Sequence, residues 1–117
     1  MDNLINCIAK RLREARLAVG ISQRRLGILA GIDEQSASAR MNQYEMGKHI
    51  PNFLTLQHIG KTLGYPTAFF YSDDDMIAEF IQLLGKLSET DRKKLLKMVK
   101  NFVENSEQNI ATLEEHT

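Results

Sequence analysis

A chain of 117 residues has room for one compact domain and an extension but not for a second independent core, since domains commonly run to about 100 to 150 residues. Its single cysteine, Cys7, excludes an internal disulfide, and Cys7, His49, His58 and His116 fall at no metal-ligand spacing. Charge is balanced overall but not along the chain: residues 1–72 carry nine Lys and Arg against five Asp and Glu, a net of +4, and residues 73–117 carry six against ten, a net of −4. The first part is therefore the candidate for meeting phosphate.

The first helix is written in its apolar spacing. Ile5, Ile8, Leu12, Ala15 and Val19 recur at three and four residues, with Lys10, Arg11, Arg13 and Arg16 off that stripe, and Gly20 ends it. Ser22 is a good N-cap for a short second helix, Gln23 to Ala30, with Ile21 placed to pack on Leu26. A third helix lies between Asp33 and Met46, with Asp33, Ser36 and Ser38 all eligible as its cap. After Pro51 a fourth helix carries Phe53, Leu56, Ile59 and Leu63 on one face, and Pro66 to Tyr71 predicts a very short fifth.

Asp73, Asp74 and Asp75 precede the apolar run Met76 to Leu87, as suits a helix N-terminus. Ser88 to Asp91 then opens a last helix as a capping box. Past Asn105 the chain turns polar and acidic and is expected to fray.

Small residues sit where the second and third helices must cross: Gly27 within the second helix and Gly31 at the turn, both suited to close approach. The stretches Arg11-Leu-Arg-Glu-Ala-Arg16, Ile21-Ser-Gln-Arg-Arg-Leu26, Gly31-Ile32, Asn42 to Lys48, Pro51 and Thr55-Leu56 resemble the phage-repressor-like (Cro/XRE-type) helix-turn-helix family in order and spacing. The resemblance covers about residues 8 to 71. It implies an all-α fold, a five-helix lambda-repressor-like DNA-binding domain over residues 1–72 followed by a C-terminal helical extension, residues 73–117, of two amphipathic helices.

Two departures stand out. Between Gly31 and Glu45 the chain has about four more residues than the family pattern, close to one helical turn. The third helix is thus either one turn longer at its start or preceded by a longer turn; a full-turn insertion keeps the same side chains outward. Gly60 stands where the family usually has alanine, a choice expected to cost up to about 1 kcal/mol of helix stability.

The resemblance implies that the third helix reads the major groove of double-stranded DNA. Carried onto this chain, it makes Ser36, Ser38, Arg40, Asn42 and Gln43 the base-reading candidates and Gln23, Arg24, Lys48 and His49 the phosphate contacts. Arg40 can offer two donors to guanine, and Asn42 or Gln43 can both donate to and accept from adenine. Met41 and Tyr44 are expected in the core.

One such helix reads too few base pairs for a unique address, so a homodimer on a palindrome is expected. Apolar positions in the tail, Phe80, Leu84, Leu95, Val99 and Phe102 among them, are the candidate dimerisation surface. The expected activity is that of a transcriptional regulator acting as a repressor. The alternative is an antitoxin-type autoregulator whose C-terminal tail binds a partner protein. No nucleophile–base arrangement, phosphate loop or metal spacing suggests an enzyme, a cofactor or a bound metal. With no run of about 18 apolar residues and no cleavable leader, a cytoplasmic protein without membrane association is expected.

Overall fold

The computed structural model describes residues 2–115; His116 lies outside them. Every element among the described residues is helical: α1 (Asp2–Val19), α2 (Gln23–Leu29), α3 (Ala37–Glu45), α4 (Phe53–Leu63), a 3-10 turn at Thr67–Tyr71, α5 (Asp75–Leu84) and α6 (Glu89–Glu115). The all-α expectation holds. Helix starts are fixed by side-chain caps: the Ser22 hydroxyl accepts from the Arg25 amide at 3.1 Å and the Asp74 carboxylate from Ile77 at 3.0 Å. Ser88 accepts from Asp91 at 3.1 Å, and Asn52, which the periodicity did not single out, accepts from Thr55 at 2.8 Å. Each such cap contributes about 1 kcal/mol.

The chain divides into two compact units, the first ending at Lys86 and the second beginning at Leu87. That division falls after α5, whereas the sequence reading places its boundary after residue 72. Ala78 of α5 is buried in the same core as Ile8 and Leu12 of α1, Leu26, Met41, Leu56, Ile59, Phe69 and Phe70, and Ile81 packs against it. With Ala78 buried in that core and Ile81 packed against it, α5 is a structural part of the first unit.

Three further expectations are adjusted. Phe53, assigned to the core face of α4, is 58% exposed at the first position of the helix, whereas Leu56, Ile59 and Leu63 are buried. Val19 is exposed at the last turn of α1. Arg11, set among the outward cations, is buried at 2% exposure because position 11 shares a helix face with Ile8, Leu12 and Ala15. A buried guanidinium needs partners. Its Nε donates to the Ser72 carbonyl at 2.7 Å, Nη2 to Asp75 at 2.9 Å and Nη1 to Glu14 at 3.2 Å. It also lies 5.7 Å from the Phe69 ring centre.

The extra residues between Gly31 and Glu45 lengthen the turn, not the helix. Residues 34–36 form a turn closed by the Ser36 amide on the Asp33 carbonyl at 3.0 Å, and α3 begins only at Ala37. Packing fixes that start: Ala37 is fully buried, and a Cβ on Gly27 would lie 2.9 Å from the Ala37 Cβ and 3.1 Å from its carbonyl oxygen. Gly27 thus serves close approach, as expected. Gly31 does not; it has open space around it and a φ of +94°, so its role is backbone conformation in the turn.

In the second unit, α6 continues without interruption past Asn105 to Glu115, where fraying was expected. Its apolar side chains Leu96, Val99, Phe102, Val103, Ile110 and Leu113 are exposed and Leu95 is half-buried.

Candidate nucleic-acid interface

The candidate surface is built on a buried ion pair. Arg16 of α1 donates from Nε and Nη2 to the two oxygens of Glu45 at 2.6 and 3.0 Å, and from Nη1 to the Ile21 carbonyl at 3.0 Å. One guanidinium therefore ties α1 to the end of α3 and to Ile21, two residues before α2. The Gln23 side-chain amide extends the network outward, donating to Glu45 at 3.3 Å and to Asn42 at 3.3 Å.

Along α3, Ala37, Met41 and Tyr44 recur at helical spacing and are buried, so the expectation for Met41 and Tyr44 is met. The residues between them look outward: Ser38, Arg40 and Asn42 are exposed and Gln43 is half-buried. Ser36 occupies the cap position, half-buried and without a side-chain cap bond. The Lys48 and His49 amides both donate to the Gln43 carbonyl, at 2.9 and 3.4 Å, so the chain after α3 folds back on its last turn. A concavity of about 260 Å³ brings Arg40 and Gln43 together with Tyr44, His49 and Ile50. Arg40 also borders a second concavity, of about 280 Å³, walled by Asp33, Ser36 and His58 among others.

Two phosphate candidates are engaged within the protein. Gln23 is held by Asn42 and Glu45, and Arg24 donates to Glu34 of the lengthened turn at 2.6 Å. Arg25, Arg40 and Lys48, by contrast, are exposed and make no ion pair among the described residues.

No protein-family model matches the chain, and no curated protein matches it. Among solved structures, the transcriptional regulator BswR is similar at a TM-score of 0.72 and 41% identity, over 80% of this chain and 92% of that one. The chain belongs to the same family as BswR. In this BswR relative, sequence reasoning missed Arg25, Glu34 and the Arg16–Glu45 pair. Arg25 had a signal, as a second cation at the start of α2; Glu34 had one only as an acid inside the inserted stretch. Arg16 and Glu45 are 29 residues apart, and nothing local joins them.

The apolar positions assigned to dimerisation fall on separate units. Phe80 and Leu84 lie on the outward side of α5, whereas Leu95, Val99 and Phe102 lie on α6. No helix among the described residues is long and apolar enough to cross a membrane.

Proposed function

We propose that the protein is a sequence-specific transcriptional regulator of the phage-repressor-like helix-turn-helix type, reading double-stranded DNA by placing α3 in the major groove. The observation that carries this reading is the outward face of α3. Ser38, Arg40 and Asn42 are exposed on a helix whose opposite side is locked into the core by Met41 and Tyr44. Hydrogen-bonding side chains on a rigid helix are what base readout requires, and the cations Arg25 and Lys48 are available to position it on phosphate. Membership in the BswR family supports a regulatory role.

The regulator acts as a homodimer, in the cytoplasm, and represses by covering its operator. Exposed apolar side chains on α5 and α6 support the dimer, since contiguous apolar surface is rarely left to water. Selection of bound sequences from random double-stranded DNA tests both parts. A palindrome with half-sites spaced by a helical turn or its multiple is expected. Recovery of no preferred sequence overturns the reading, and a single asymmetric site overturns the dimer.

A further inference from the structure

The charges of α6 are segregated along its length. Residues 92–100 contain Arg92, Lys93, Lys94, Lys97 and Lys100 and no acid; residues 101–115 contain Glu104, Glu107, Glu114 and Glu115 and no base. This order runs against the helix macrodipole, which favours acids near the N-terminus and bases near the C-terminus. Only Glu89 and Asp91 in the first turn follow the dipole. The polarity therefore does not serve the isolated helix.

It fits a second copy. Lys93, Lys100, Glu107 and Glu114 recur every seven residues, so they form one row along the helix. Three residues beyond the first three of them lie Leu96, Val103 and Ile110, an apolar row directly alongside, each side chain exposed. We infer that two copies of α6 pair antiparallel through these rows, crossing near Val103, with Lys100 of each copy against Glu107 of the other. The inference rests on the dimer proposed above and adds its orientation.

The register is over-determined. Setting Lys100 against Glu107 of the second copy also sets Lys93 against Glu114 of the second copy, because both pairs are centred between Val103 and Glu104. The apolar row is centred one residue away, on Val103, so this alignment brings Leu96 within one residue of Ile110 of the second copy and Val103 within one residue of its own counterpart. A parallel pair would put Lys100 level with Lys100 and Glu107 level with Glu107, like charge on like. Antiparallel pairing also opposes the two helix dipoles. At about 1.5 Å per residue, it places the two α6 N-termini about 40 Å apart.

The test uses the full chain with Cys7→Ser, carrying single cysteines on α6 under mild oxidation, alongside sedimentation to establish the oligomer. Val103→Cys is expected to link to itself and Leu96→Cys is not, while a mixture of Leu96→Cys and Ile110→Cys forms the mixed disulfide. Lys100→Glu should weaken the dimer about tenfold and Lys100→Glu/Glu107→Lys should restore it. A dimer in which Leu96→Cys links to itself as readily as Val103→Cys overturns the orientation alone. A chain that sediments as a monomer overturns the dimer reading itself.

Discussion

Arg16 and Glu45 form a two-contact ion pair between α1 and α3, with side-chain exposures of only 14% and 3%. Removing one member leaves the other charge largely buried and without its partner, which costs up to about 3 to 5 kcal/mol. Glu45→Ala is expected to lower stability by that order in urea denaturation. Arg16→Lys should also be destabilising, because an ammonium cannot reproduce the fork that reaches both oxygens and the Ile21 carbonyl. Stability unchanged in Glu45→Ala would show that the pair is dispensable to the fold.

Arg40 should contribute specificity. It is exposed, so Arg40→Ala is expected to leave the melting temperature unchanged while relaxing preference at one base position by about 1 to 3 kcal/mol. Binding measured on a panel of single-base operator variants separates this from a phosphate contact, whose loss would weaken all sequences equally.

The Arg24–Glu34 pair, at 2.6 Å with both side chains more than half exposed, contributes little stability. Its consequence should be for binding. Glu34→Gln frees Arg24 and removes an acid from the lengthened turn, so affinity for DNA is expected to rise, most strongly at low salt. Arg24→Ala should weaken binding to all sequences and reduce the dependence of log K on log salt by about one. Titrations at several salt concentrations check both. If Glu34→Gln binds no better than the parent, the turn does not compete with phosphate.

Gly60→Ala offers a direct contrast between sequence and structure. Helix propensity alone expects a gain of up to about 1 kcal/mol. A Cβ at that position, however, would lie 2.6 Å from the Tyr65 carbonyl oxygen, and the Tyr65 amide donates to the Gly60 carbonyl at 2.9 Å. The substitution is expected to destabilise by about 1 to 3 kcal/mol, as overpacking does. A higher melting temperature would refute this.

Asp75 couples the docking of α5 to pH. Hydrogen bonds from Lys10 and Arg11, with the charges of both, hold its carboxyl below the usual range. On the other side, burial works against the Arg11 charge but is outweighed by Asp75 and Glu14, so Arg11 is raised. A lowered carboxyl stabilises the fold above its unfolded value of about 3.9, and that contribution is lost as pH falls through the lower native value. Wild type should therefore melt higher than Asp75→Asn near pH 7, and the two should converge as pH falls well below about 4. A gap independent of pH would assign the effect to packing.

Local pattern along the chain sets the helices, most of their caps and the polar outward face of α3. These follow from periodicity and from residues within one or two turns of each other, such as Ser22 with Arg25 and Met41 with Tyr44. Tertiary structure decided the rest, because its causes are distant in the chain. Close contact of Gly27 with Ala37 sent the inserted residues into the turn. Asp75, 64 residues from Arg11, made it possible to bury a cation that local periodicity assigns to water. Ala78 drew α5 into the first unit. Packing partners and charge partners leave no mark in the local pattern until the fold brings them together.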